Sequence, residues 1–159
     1  MRVLIVIAAL LVPVTAVSGA ENAHDATGYW LTENEKAIVR FEPCEGGTGS
    51  SLKPQICGQI VWTRNPRGPD GKLKLDEKNP DESLRGRALC GLPLIGGLKP
   101  ASDAALVDGW IYNPRSGKTY GAKAELVSAD KLKLRGFLGI SLLGSNQVWT
   151  RVTDDRGGC

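Results

Sequence analysis

The sequence predicts an antiparallel all-β domain, and three observations support this fold class. Apolar residues recur with a period of two along most of the chain, which is typical of strands with one buried face. Short segments rich in Gly, Pro, Asn, Asp and Ser separate these runs. No helical pattern lies between successive runs, so a sheet of consecutive antiparallel strands is favoured over a parallel one.

The clearest strands lie in the second half of the chain. In residues 118–127 the alternate positions Tyr120, Ala122, Ala124 and Leu126 form an apolar face. Residues 131–135 alternate strictly between basic and apolar side chains after a Ser-Ala-Asp turn. The same period predicts further strands at residues 37–42, 56–64, 107–112 and 147–152.

Residues 65–105 carry five prolines and interrupt the alternating pattern. Within them, Asn79 followed by Pro80 is typical of a helix start, with Asn79 as the N-cap. Gly86 limits this helix to little more than one turn. Residues 89–98 are apolar and could add one more strand, broken at Pro93. The sequence shows no repeat and no linker, so one domain is the simplest account.

Residues 1–20 are typical of a signal peptide. Arg2 precedes the apolar segment 3–17, and the small residues Ser18 and Ala20 suit cleavage after Ala20. A transmembrane anchor is disfavoured, because the apolar run is shorter than the roughly 18–20 residues that span a bilayer. We therefore expect a periplasmic or secreted protein. It would have a flexible segment at 21–27, a domain at 28–152 and a tail at 153–159.

The charge pattern excludes one class of partner. The formal net charge is +3, and acidic residues are interleaved with the basic ones. A nucleic-acid-binding domain usually concentrates its basic residues on one face, so we expect no nucleic-acid partner. The mature chain contains no second apolar run long enough to span a membrane.

The four cysteines indicate disulfides, because their number is even and an exported protein meets an oxidising environment. Three connectivities are possible, and sequence alone does not choose among them. The Gly-rich segment 45–54 favours a hairpin that pairs Cys44 with Cys57, which leaves Cys90 for Cys159. Zinc is not expected, since no Cys-x-x-Cys pair is present.

Few residues could support catalysis. His24 is the only histidine and lies near the expected cleavage site, which argues against a His-based catalytic apparatus. Acidic residues cluster at Asp76, Glu77, Asp81 and Glu82, where carboxylates could act with Asn79 in an enzyme. A solvated loop with Arg85 and Arg87 as ionic neighbours is the favoured interpretation. We expect no enzyme activity and no cofactor.

Several motifs together resemble a family of exported bacterial proteins known as domain of unknown function 2147. They are Gly28-Tyr29-Trp30, Cys57-Gly58-Gln59-Ile60-Val61-Trp62, Asp76-Glu77-Lys78-Asn79-Pro80-Asp81, Leu84-Arg85-Gly86-Arg87, Gly109-Trp110-Ile111-Tyr112-Asn113-Pro114, Gly117-Lys118-Thr119-Tyr120, Leu134-Arg135-Gly136 and Gln147-Val148-Trp149-Thr150-Arg151. The resemblance extends over roughly residues 28–152. It implies an exported protein and no particular activity.

A looser resemblance is to the calycins, the lipocalin-like closed barrels. Gly28-Tyr29-Trp30 is similar to their Gly-x-Trp in the first strand, and Arg151 could be their arginine in the last strand. This resemblance implies an up-and-down β-barrel of about eight strands with one short helical turn in the Pro-rich loop. Arg151 would cover the ring of Trp30, and Trp149 would be a core residue.

Small residues on the expected inner face leave two possibilities open. Ala122, Ala124 and Gly136 stand where a filled barrel would often carry larger side chains. Aromatic rings from facing strands would fill the space, or a cavity for a small apolar ligand would remain. In the second case we expect four aromatic side chains to line the cavity: Trp62, Trp110, Tyr112 and Tyr120.

The sequence thus favours a non-catalytic domain that binds a small hydrophobic ligand or another envelope component. The alternative is a structural or protein-interaction module that uses an open barrel edge or the Pro-rich loop. An enzyme that depends on carboxylates around Asp76 and Asn79 is the least favoured hypothesis.

Overall fold

The computed structural model describes residues 25–45 and 54–159. Eight strands form a closed barrel in which each strand pairs antiparallel with the next and the last pairs with the first. The strands are β1 (Gly28–Leu31), β2 (Ala37–Pro43), β3 (Ile56–Thr63), β4 (Pro93–Pro100), β5 (Ala105–Asn113), β6 (Lys118–Ser128), β7 (Lys131–Phe137) and β8 (Gly144–Val152). The predicted up-and-down barrel is confirmed. The expected signal peptide and His24 lie outside the described residues.

Closure of the barrel corrects one element of the interaction hypothesis. Each of the eight described strands has two hydrogen-bonded neighbours. Because no described strand is left at an edge, a partner cannot bind by adding a strand to this sheet. The expectation of an open barrel edge is therefore wrong for these strands.

The short helical turn lies in the Pro-rich segment but begins later than expected. It is a 3-10 turn at Glu82–Leu84 whose N-cap is Asp81, not Asn79. The Asp81 carboxylate accepts a hydrogen bond from the backbone N–H of Ser83. The side chain of Asn79 instead donates to Asp76 and accepts the backbone N–H of Asp81. Pro93 does not break a strand but begins β4, where a missing N–H is tolerated.

The barrel interior is filled by large apolar side chains from alternate positions of the strands. Trp30, Phe41 and Trp149 are almost completely buried, and the ring edge of Phe41 meets Trp149 at a centroid distance of 6.1 Å. Edge-to-face packing of this kind is favoured for aromatic pairs. These rings and the leucines around them form the continuous core of the barrel.

At one end of the barrel, Arg151 holds the segment before β1 against Trp30. Its guanidinium carbon lies 4.2 Å from the ring centroid of Trp30, and its nitrogens donate hydrogen bonds to the carbonyls of Asp25, Thr27 and Ala129. Gly28 has a φ of 107°, and a Cβ at this position would lie 3.1 Å from Arg151. Residues 25–27, expected to be flexible, are therefore held against the barrel by Arg151.

Two disulfides fasten segments outside the sheet. One joins Cys44, directly after β2, to Cys57 in β3, and the other joins Cys90 to the C-terminal Cys159. The tail also places the guanidinium of Arg156 5.0 Å from the ring centroid of Trp62. The C-terminal tail thus packs against the outer surface of β3.

Candidate functional site

Two β-bulges determine which aromatic side chains face the barrel interior. In β3 the residues Ile60 and Trp62 pair with the consecutive residues Val39 and Ile38, so β3 contains one extra residue. In β5 Leu106 and Gly109 pair with Ala124 and Ala122 of β6, so β5 also contains one extra residue between these pairs. An extra residue inverts the alternation of faces beyond it. Side chains after each bulge therefore point to the opposite face from the one that a strict period predicts.

The bulges place Trp62 and Trp110 on the outer surface, which corrects their expected role in a cavity. Trp62 packs against Arg156 of the tail, as described above. Trp110 is 40% exposed, and its ring covers Gly96 so closely that a Cβ there would clash with the ring. Neither tryptophan lines the barrel mouth.

The hydroxyl of Tyr112 is also directed away from the barrel interior, towards the long β3–β4 connection. It donates a hydrogen bond of 2.6 Å to the carboxylate of Asp76. That carboxylate is completely buried and also accepts hydrogen bonds from the side chains of Asn79 and Arg87. The four side chains fasten the β3–β4 connection to the outside of β5.

The charges in this cluster are mutually stabilised. Burial alone would raise the pKa of Asp76, but hydrogen bonds from Tyr112, Asn79 and Arg87 outweigh it and hold that pKa below its usual range. Burial and the adjacent carboxylate raise the pKa of Tyr112 to about 12. The expectation that Asp76 lies in a solvated loop is therefore wrong, whereas its neighbours Glu77, Asp81 and Glu82 are exposed.

The barrel mouth lies at the end opposite Arg151 and contains a cavity of about 530 Å³. Three connections surround it: the β1–β2 loop, the β5–β6 turn and the β7–β8 loop. The apolar residues that form its inner part are Ala37, Ile60, Leu94, Ile111, Leu134 and Trp149. All six are buried or half-buried, so the cavity continues the apolar core to the surface.

Exposed polar side chains surround the opening of this cavity. Asn34, Ser145 and Gln147 contribute neutral groups, and Lys36 and Arg115 contribute two positive charges. No acidic residue is among the described residues that line it. The carbonyl oxygen of the Gln147 side chain accepts the indole N–H of Trp149, so this ring presents an apolar surface with its polar atom bound.

The structure thus brings together some of the residues expected at a cavity and separates others. Tyr120, Gly136 and part of Tyr112 line the mouth, and Gly136 leaves room there because it has no side chain. Ala122 and Ala124 lie deeper, buried within the filled part of the barrel.

Leu138, Leu143 and Gln147 also line the mouth, and the periodicity of the sequence did not predict them. The apolar residues of segment 138–143 were the feature of the sequence that could have indicated Leu138 and Leu143.

Other kinds of site find no support in the described part of the chain. Within residues 25–45 and 54–159, no three His, Cys, Asp or Glu side chains come together as a metal site would require. In the same residues, no helix has both the length and the apolar character needed to cross a membrane.

The comparisons with known proteins agree with this architecture. Protein HP1028 from the human pathogen Helicobacter pylori, whose structure is described as belonging to the lipocalin family, is similar with a TM-score of 0.67. The two sequences are 22% identical, and the match covers 83% of this chain and 86% of that chain. No curated protein matches the sequence. A family model described as an uncharacterized protein conserved in bacteria (DUF2147) matches residues 28–151, and the chain therefore belongs to this family.

Proposed function

We propose that the protein is an exported, non-catalytic binding protein that holds a small, largely apolar molecule in the barrel mouth. The observation that carries this proposal is the open cavity of about 530 Å³ with its apolar inner part. Ligand pockets for small molecules are usually of this size and combine an apolar lining with a few polar groups. A closed eight-stranded barrel of the kind seen here can hold one small ligand.

The arrangement of the mouth indicates how such a molecule would lie. Its apolar part would contact Ile60, Leu134 and Trp149, where a water molecule would find few hydrogen-bond partners. Its polar part would remain near the exposed side chains at the opening. Burial of apolar surface supplies the main driving force, about 25 cal/mol per Å².

The surroundings of Asp76 support a non-enzymatic role. Its carboxylate is completely buried and is bound by three neighbouring side chains. A general acid or base must come within hydrogen-bond distance of the reacting group, and this carboxylate does not reach the cavity surface. The acidic cluster is thus better explained as a fastening of the β3–β4 connection.

Export is supported by the two disulfides, because such bonds persist in oxidising compartments and are rare in the cytosol. The periplasm or the extracellular medium is therefore the proposed location.

The experiment fills part of the mouth with a larger side chain and measures the binding of the neutral apolar fluorophore N-phenyl-1-naphthylamine. In Gly136→Leu the new side chain enters the cavity, where a Cβ would meet Ile111 at 3.3 Å. We expect the affinity for the fluorophore to fall at least about tenfold, because the space for its rings is lost.

Gly86→Leu is the matched control, since a Cβ at Gly86 has nothing within 4 Å. This variant should bind the fluorophore as the wild type does. Equal affinity in Gly136→Leu, at an unchanged melting temperature, would refute the mouth as the binding site. So would the absence of fluorophore binding in the wild type.

A further inference from the structure

The β7–β8 loop, residues 138–143, exposes a group of large apolar side chains. Leu142 is 84% exposed and Leu143 68% exposed, and Leu138 and Ile140 are each more than half exposed. Soluble proteins rarely leave large apolar side chains clustered in one exposed loop unless the loop contacts something. Leu138 and Leu143 also line the barrel mouth, so the loop borders the cavity directly.

Part of the backbone of this loop is hydrogen-bonded, although its side chains are exposed. The carbonyls of Ile140 and Leu143 accept hydrogen bonds from the backbone N–H groups of Leu143 and Leu138. The guanidinium of Arg135 donates to the carbonyls of Ser141 and Leu142. Four consecutive carbonyls thus have partners within the protein. These carbonyls would keep their hydrogen bonds at the boundary between headgroups and acyl chains, where water and headgroups can accept from the remaining backbone N–H groups.

The charges near the loop are mainly positive. Residues 131–153 contain no acidic residue, and Lys133 and Arg135 lie on the strand that leads into the loop. Lys36 and Arg115 stand at the rim of the same mouth. Two acidic groups face this region: Glu33, whose carboxylate accepts the backbone N–H of Val148 on β8, and Glu125, which lies opposite Lys133 on the neighbouring strand β6. Basic residues around an apolar tip are typical of segments that bind anionic membrane surfaces.

We propose that the β7–β8 loop inserts its apolar side chains into an anionic lipid surface. Leu142 and Leu143 would enter the boundary between headgroups and acyl chains, and the surrounding basic residues would face the lipid phosphates. This position would place the barrel mouth against the lipid surface. The proposal is independent of the proposed function, because surface binding requires no ligand in the cavity.

A second copy of the chain is a less suitable occupant of this surface. Two loops meeting tip to tip would bring the basic residues of both copies together, and like charges oppose such an arrangement. An anionic lipid surface instead complements both the apolar tip and the positive charges. Charge complementarity therefore favours lipid over self-association.

The experiment measures co-sedimentation of the full chain with vesicles of phosphatidylcholine, with and without phosphatidylglycerol. We expect binding to the vesicles that contain phosphatidylglycerol to be at least about tenfold stronger, and to weaken as salt is added. Leu142→Asp should reduce that binding at least about tenfold, because a charge opposes insertion of the tip.

Val127→Asp is the matched control, since Val127 is 60% exposed on β6, outside the loop and mouth, and the charge change is the same. It should bind vesicles as the wild type does. Vesicle binding that is absent in the wild type, or equal in Leu142→Asp, would overturn the proposal. Sedimentation velocity tests self-association through the loop. A dimer that Leu142→Asp dissociates, with vesicle binding equal in the wild type and the variant, would also overturn the proposal. Binding of N-phenyl-1-naphthylamine without vesicles tests the proposed function separately.

Discussion

At the scale of single residues, the fold depends on a few polar side chains that satisfy buried or closely packed groups. Asp76 has the most partners among the carboxylates of the described residues, with hydrogen bonds from Tyr112, Asn79 and Arg87. Arg151 does the same at the end opposite the mouth by donating to three carbonyls beside Trp30. Removing one member of such a group leaves its partners without hydrogen bonds.

Asp76→Ala should lower the free energy of unfolding by about 3 kcal/mol at neutral pH, since it leaves the half-buried Arg87 and the buried Tyr112 without their acceptor. The folded-state pKa of Asp76 lies below its usual value of 3.8. Its stabilising effect is therefore complete above about pH 4 and is lost as the pH falls below that value. Urea denaturation at neutral and acidic pH measures both effects.

The exposed neighbour Glu77 provides the comparison. Glu77→Ala should change the free energy of unfolding by less than about 0.5 kcal/mol. If the difference between Asp76→Ala and the wild type stayed constant down to pH values well below 4, the assigned role of the carboxylate would be wrong.

At the scale of elements, the period of two predicts strands well and bulges poorly. The predicted segments 118–127 and 131–135 lie within β6 and β7, because uninterrupted alternation there leaves one register that buries the apolar face. In β3 and β5 one extra residue reverses the faces, and Trp62 and Trp110 therefore lie outside. The extra residue of a bulge need not be of any special type, so the apolar periodicity alone does not reveal where a bulge lies.

The bulge in β5 contains Asp108, which has a φ of 56°. Asn tolerates this left-handed conformation, whereas a β-branched residue does so poorly. Asp108→Asn should therefore leave the free energy of unfolding within about 0.5 kcal/mol, and Asp108→Val should lower it by about 2 kcal/mol. Thermal or urea denaturation of the pair checks this expectation, and equal stability of the two variants would contradict it.

At the scale of the whole molecule, each end of the barrel has a cavity of about 530 Å³: one beside Arg151 and residues 25–27, and one in the mouth at the opposite end. The sequence predicted the single all-β domain, because the pattern of strands and turns is regular over its length. It predicted the position of the mouth only in part. Tyr120 and Gly136 follow the alternation, but the contribution of Leu138 and Leu143 depends on how the β7–β8 loop folds over the rim.

The two disulfides should differ in their effect on stability. Cys90 and Cys159 are separated by 69 positions, and Cys44 and Cys57 by 13. In the chain-entropy model, the longer loop contributes about 4 kcal/mol and the shorter one about 3 kcal/mol. The double variant Cys90→Ser with Cys159→Ser should therefore unfold at lower urea concentration than Cys44→Ser with Cys57→Ser. The reverse order would show that native contacts, and not the length of the closed loop, determine the difference.

The bond between Cys90 and Cys159 also makes a covalent ring that contains the five strands from β4 to β8. Exposed loop tips are preferred sites of proteolytic cleavage, and the β7–β8 loop is such a tip within the ring. A single cut there would release no fragment, because the two pieces would remain joined through the sulfur atoms. In a compartment rich in proteases, the protein would tolerate that cut with its sheet still paired.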